Sequence, residues 1–230
     1  MPLLHATYVV VVHAAGEDGW DALDAVWQEA FRQAWEALVT GNIGVGAVVS
    51  DSDGTIVAVG RNRVRDDRAP RGQVFGTTLA HAEINVLAQL PFGAPRGLVL
   101  STTLQPCLQC AAAIRMAPVA RVRIAGPDPL WDGAGAFSHL NAWLGRRSDA
   151  PVEGPRRDEV GVFAVLLARL GAGSRAHVDA GLRERGHGAV IDLADRLRDD
   201  GTLDRLRDGS VEDAYADLRD QLRRVGSEMG

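Results

Sequence analysis

The chain of 230 residues contains no lysine, so its 25 basic residues are all arginine. Chemistry that needs a side-chain amine is thereby excluded: no Schiff base forms on this chain, and no phosphate-binding loop of the lysine type is present. Cysteine is scarce as well, at two residues. A framework of several disulfides is impossible, and a reducing, cytoplasmic setting is expected. Positive charge is in deficit, with a net charge of −5 and a pI near 5.7. Binding a polyanion through many phosphates needs a positive stripe, so nucleic acid is disfavoured as a partner. Arg61, Arg63, Arg65, Arg68 and Arg71 read as a solvated loop, with a local phosphate-binding patch as the alternative. The apolar stretch from Thr7 to Val12 is too short to span a bilayer and lacks the charged flank and cleavage site of a leader. A β-strand or buried segment accounts for it, and no membrane partner is expected.

What remains is ordinary globular material, 46% apolar and 24% charged, enough for one full-sized core with an extension. Trp20, Leu23, Trp27, Phe31, Ala34 and Leu38 recur at helical intervals, with Gly41 as the stop. Two β-like runs, from Ile43 to Ser50 and from Thr55 to Arg61, flank a hairpin turn at Asp51-Ser52-Asp53-Gly54. After an irregular arginine-rich loop come a helix predicted from about Leu79 to Leu90, a strand at Leu98 to Thr102, a second helix, and a strand at Val122 to Ala125. Strand, helix, strand in that order is a crossover that makes parallel neighbours. The expected core is a mixed α/β sheet of about five strands with helices on its faces. Pro151 to Arg157 reads as a linker or surface loop, which divides the chain into residues 1–157 and a helical extension, 158–230. Within the extension, Val160, Phe163, Leu167 and Leu170 form one apolar stripe, and Val211, Tyr215, Leu218, Leu222 and Val225 form another. Such stripes face a core, here the first domain or a dimer interface.

Two short strings carry the chemistry: His81-Ala82-Glu83 and Pro106-Cys107-Leu108-Gln109-Cys110. His81, Cys107 and Cys110 offer one imidazole and two thiolates, the ligand types that Zn2+ prefers, and three protein ligands leave the fourth tetrahedral position to water. Glu83 is not needed as a ligand; a carboxylate there is placed to accept and return a proton. Residues two apart on a helix diverge by about 200°, so His81 and Glu83 converge only at a helix start. Thr77 and Thr78 are candidate caps, and Pro106 suits the first turn of the second helix. Two helix N-termini then meet at the metal and favour thiolate over thiol. A Cys-x-x-Cys after a strand is also the arrangement of thiol-disulfide oxidoreductases, and a closed structural zinc site would need a fourth ligand that no histidine supplies at finger-like spacing.

The His-x-Glu and Pro-Cys-x-x-Cys pair resembles the signature of the cytidine deaminase-like superfamily of zinc-dependent nucleobase and nucleoside deaminases. The resemblance covers roughly residues 20 to 145. It implies a three-layer α/β/α fold, a homodimer, and hydrolytic deamination of a nucleobase, nucleoside or related small amino-heterocycle with release of ammonia. A tRNA adenosine deaminase and a non-enzymatic zinc-containing interaction protein are the alternatives. It further implies Glu83 as the proton carrier and Asn62 as a substrate contact, where a buried amide can both donate and accept. A turn asparagine is the competing account. Asp128, Trp131 and Asp132 follow the last strand, where substrate contacts are expected, and Phe75, Phe137 and Trp143 are aromatics able to stack on a ring. Gln105 departs from the pattern, since many purine and tRNA deaminases carry glutamate there. That departure bears on substrate more than on chemistry.

Overall fold

The computed structural model describes residues 8–9, 19–132, 143 and 150–229. Phe137 and most of the 7–12 run lie outside the described residues. A short 3-10 turn, Trp20–Ala22, precedes helix α1, Ala25–Val39, which is capped by the Asp24 carboxylate accepting from the Trp27 amide at 2.9 Å. The predicted hairpin follows as β2, Gly46–Ser50, and β3, Ile56–Arg61, with Asp51 Oδ1 accepting from the amides of Asp53 and Thr55 in the turn. Helix α2 is Ala82–Leu87, β4 is Leu98–Leu104, α3 is Leu108–Met116 and β5 is Val119–Gly126.

With β1, Tyr8–Val9, and β6, Val152–Glu153, the sheet has six strands in the order β1-β6-β5-β4-β2-β3. The two added strands contribute two residues each; β1 falls in the apolar run read as a strand or buried segment, whereas β6 lies in the Pro151 to Arg157 segment read as a linker or loop. β2 runs antiparallel to β3 and β4, while β4, β5, β6 and β1 pair in parallel. The chain therefore leaves β3, β4 and β5 at one common edge. Residues 62, 105 and 127 follow those three strand ends, and the loops they begin gather at that edge, where open α/β sheets bind ligands.

Side chains of one strand alternate between the two faces. In β2, Ala47 and Val49 join Val86 of α2 and Ile114 of α3 on one face, and Val48 joins α1 on the other. Gly46 is required for the second contact, because a Cβ there would stand 2.1 Å from the Ala30 carbonyl oxygen of α1. Five helices follow the sheet: α4, Glu159–Ala172; α5, Ala176–Arg183; α6, Gly188–Asp199; α7, Thr202–Arg207; and α8, Val211–Glu228. The stripe residues Val160, Phe163, Leu167 and Leu170 and those from Val211 to Val225 are all buried, in the same cluster as Phe31 and Ala34 of α1. Phe31 stacks on Phe163 at 5.6 Å between ring centres, and Phe163 meets Tyr215 edge-on at 5.3 Å. The α1 face of the sheet is thus covered jointly by α1 and α4, with α6 and α8 behind them.

Candidate metal centre and its cavity

Helix α2 is shorter than its sequence suggests, beginning at Ala82 with His81 as its N-cap, and Thr77 and Thr78 lie in the turn before it. The reason is chemical: His81 has extended backbone, φ −73° and ψ 156°, which breaks the helical period between it and Glu83 and turns both side chains to one place. The second motif is built alike. Cys107 is the N-cap of α3 in extended backbone, Pro106 precedes the helix, and Cys110 lies in its first turn.

His81 Nδ1 lies 3.6 Å from Cys107 Sγ and 3.5 Å from Cys110 Sγ, and the two sulfurs are 3.6 Å apart. Nitrogen at about 2.0 Å and sulfur at about 2.3 Å from a tetrahedral zinc would stand about 3.5–3.8 Å from one another. The three donors fit zinc in both kind and spacing, and they are the group of this kind found among the described residues. Glu83 is buried beside them, with Oε2 3.3 Å from Cys110 Sγ and Oε1 accepting from the Thr102 hydroxyl at 2.9 Å.

Burial raises the Glu83 carboxyl above its ordinary value, against the opposing charge of His81. A hydrogen bond from Cys110 holds the Cys107 thiol down at about 4, and the same bond together with burial pushes Cys110 far up. His81 is raised, chiefly by its contact with Cys107.

A cavity of about 610 Å³ opens from this centre. Asn62, Asp128 and Trp131 all line it, as does Gln105. Asn62 is buried; its Oδ1 accepts from the Val64 amide at 3.3 Å, leaving its NH2 group without a partner among the described residues. Asp128 Oδ1 accepts from the Leu130 and Trp131 amides at 3.3 Å, so its carboxylate shapes the loop as well as the wall. Gln105 Oε1 accepts from the Asp128 amide at 3.0 Å and ties that loop to the segment that leads into Pro106 and Cys107. Trp131 stands at the rim, more than half exposed. Asp132 is exposed and pairs with Cys107 through the backbone, while Phe75 and Trp143 are exposed and absent from the lining.

Two expectations change. The arginine loop is solvated only in part: Arg68 and Arg71 are exposed, but Arg61 and Arg63 are buried and paired with Asp66 at 2.8 and 2.7 Å, and Arg65 donates to the Gly41 and Gly171 carbonyls. The segment after residue 158, in which no chemistry was legible, supplies Val165, Arg169, Arg175, Val178 and His187 to the cavity wall. Arg169 could have been suspected, since it alone interrupts the apolar run Val162-Phe163-Ala164-Val165-Leu166-Leu167-Ala168 before Leu170.

Residues 20–125 match the family described as the cytidine and deoxycytidylate deaminase zinc-binding region. The tRNA(Ile)-lysidine synthases of Deinococcus radiodurans and Deinococcus deserti are 33% identical over 126 and 124 residues, or 53% and 52% of this chain. Those matches cover 20% and 22% of the relatives, so the chain spans about a fifth of the length of the curated relatives it matches. Among solved structures, a guanine deaminase from Bacillus subtilis is 25% identical over 51% of this chain and 76% of its own, with a TM-score of 0.39. With its His81, Cys107 and Cys110 donors inside the matched segment, the chain carries a cytidine-deaminase-like zinc-binding region.

Proposed function

We propose that the protein is a zinc-dependent hydrolytic deaminase of a nucleobase, nucleoside or related small amino-heterocycle. The observation that carries this reading is a buried carboxylate, Glu83, set against a three-donor zinc site in the wall of a cavity. Zinc held by His81, Cys107 and Cys110 supplies an acidified water when bound. Glu83 would accept one proton of the attacking water and hand it to the ring nitrogen beside the amino-bearing carbon, then carry the proton of the newly added hydroxyl to the departing amino group. The carbon gains oxygen, ammonia leaves, and a ring carbonyl remains. A raised carboxyl suits a residue that must both hold a proton and return it. Asn62 offers an NH2 donor to the ring edge, and Trp131 offers a face at the rim.

A second reading is deamination of an adenosine in tRNA, favoured by the His81-Ala82-Glu83 string and by the two helix starts that bring the zinc donors together. The internally paired Arg61, Arg63 and Arg65 weigh against it, as do the helices over the cavity. Ammonia release across free bases, nucleosides, nucleotides and tRNA, with zinc measured on the same sample, tests both. Activity on a small substrate is expected, with Glu83→Ala retaining about one equivalent of zinc and losing roughly 10²- to 10⁴-fold in turnover. Full turnover in that variant would sink the role of Glu83, and tRNA-only activity that weakens steeply with salt would favour the second reading.

A further inference from the structure

We infer that α4, α5 and Leu130 give the cavity an apolar subsite, so that the substrate is an amino-heterocycle carrying an uncharged, apolar substituent away from its reacting amino group. This rests on the deaminase reading of the same cavity, and every residue of the subsite lies beyond the matched residues 20–125. At about 610 Å³ the cavity lies in the range of about 300–1,000 Å³ that takes whole small-molecule ligands, more room than one ring occupies.

The apolar residues reach the cavity as helix faces. Val165, Ala168 and Ala172 stand three and four residues apart on α4, and Val178 and Leu182 stand four apart on α5, so each helix turns one stripe to the cavity. Leu130 packs against the cluster that holds Val178 and Leu182. It lies directly on α5, because a Cβ at Gly181 would stand 3.2 Å from Leu130 Cδ2. Ala168 belongs to the cluster of Val45 and Leu104, which line the same cavity. The loop that carries Leu130 is also tied to the reaction centre. The Asp128 amide donates to Gln105 on one side of Leu130, and Asp132 pairs with the zinc ligand Cys107 on the other. The subsite is therefore continuous with the place where the ring must react.

Little in this wall recognises charge. Arg169 is spent on Asp179 and on the Gly173 carbonyl, and Asp179 Oδ2 accepts from the Ser174 hydroxyl at 3.0 Å and the Arg175 amide at 2.8 Å. The Arg169 Nε and the His187 Nδ1 are sealed away from solvent. Burial lowers the His187 imidazole below its ordinary value, so that ring is neutral. The Arg175 side chain is exposed, where water screens its charge. The carboxyl groups of Glu83 and Asp128 line the same cavity, and each repels an anion when ionised. Sugar hydroxyls fare no better, since valine, leucine and alanine side chains offer nothing to replace the hydrogen bonds lost with water. An apolar group loses none, and each methylene buried there contributes about fourfold in affinity.

Calorimetry on the zinc-loaded full chain tests the subsite with cytosine, guanine and adenine. Each is offered as the bare ring, as its butyl derivative at the nitrogen that bears the sugar in the nucleoside, as the nucleoside and as the monophosphate. For at least one ring the butyl derivative is expected to bind about tenfold more tightly, or better, than both the bare ring and the nucleoside. Val178→Thr, which keeps the shape and adds a hydroxyl, and Ala172→Asn are expected to bring that ratio towards one. Ala172 is half-buried at the end of α4, so its variant reports even where the buried Val178 variant fails to fold. The proposal is overturned by absent or unimproved binding of all three butyl derivatives, or by tightest binding of a nucleoside or monophosphate. A ratio unmoved by Ala172→Asn and by folded Val178→Thr overturns it as well. Ammonia release from the bare rings with no gain for butyl overturns it while the deaminase reading stands. A butyl gain with no ammonia from any probe supports the subsite and removes the deaminase reading instead.

Discussion

Cys107 and Cys110 are three residues apart, yet their surroundings push the two thiols in opposite directions. The Cys107 thiol is held at about 4 by the bond from Cys110, while Cys110 is raised by that bond and by burial. Zinc needs both sulfurs deprotonated and the His81 nitrogen neutral. Loading therefore displaces protons chiefly from Cys110 and His81, both of which are raised, and least from Cys107, which is lowered. Protons compete with metal, so apparent zinc affinity falls as pH falls. Calorimetry in buffers of different ionisation heat is expected to find about one to two protons released per zinc at pH 7. Metal binding without proton release would contradict this account. These ligands were legible in the sequence because zinc selects residue types that have few other uses at such spacing. Arg169, Arg175 and His187 were not, because a residue in a cavity wall needs no particular neighbour in sequence, and arginine is common throughout this chain.

At the scale of elements, the metal site depends on how closely α2 approaches the sheet. Gly60 of β3 lies under that helix, and a Cβ there would stand 2.6 Å from the Val86 nitrogen and 2.8 Å from the Ala82 carbonyl oxygen. Both atoms are backbone, so α2 itself must move. Gly60→Ala is expected to cost about 1–3 kcal/mol of stability and to weaken zinc binding, since His81 and Glu83 travel with the helix start. Denaturant unfolding followed by a zinc titration checks it, and wild-type values in both would show that the contact is soft. The hairpin, the parallel crossover and the two apolar stripes were readable because their periods and turn residues are local. The helix starts were misplaced by a few residues for the opposite reason: His81 and Cys107 take extended backbone to bring ligands together, which propensity does not encode. Helices α5 and α7 and strand β6 escaped notice because they are short, and α6 because its apolar positions are interleaved with Asp and Arg and are buried by neighbours distant in the chain.

For the molecule as a whole, the division at residue 157 proposed from sequence is a place where the chain changes composition, while the core runs across it. Phe31 on Phe163 and Phe163 on Tyr215 join α1, α4 and α8, and each aromatic pair contributes about 0.5–1.5 kcal/mol beyond its buried area. A chain ending after Arg157 would leave Trp27, Phe31 and Ala34 facing water. That fragment is expected to lose its cooperative thermal transition and to bind hydrophobic dyes. A sharp transition and wild-type ammonia release from residues 1–157 would show instead that the helices are dispensable. Among the described residues no helix is long and apolar enough to cross a membrane.

The joint anchoring of α4 has a consequence for traffic. Its side chains wall the cavity at Val165, Ala168 and Arg169 while Phe163, Leu166 and Leu167 are locked among α1, α6 and α8. A ceiling held that way does not swing like a lid, because lifting it would tear open the interior. Exchange with solvent is left to the exposed part of the lining, which includes Leu108, Trp131 and Arg175. A ligand can then come and go without the interior being opened.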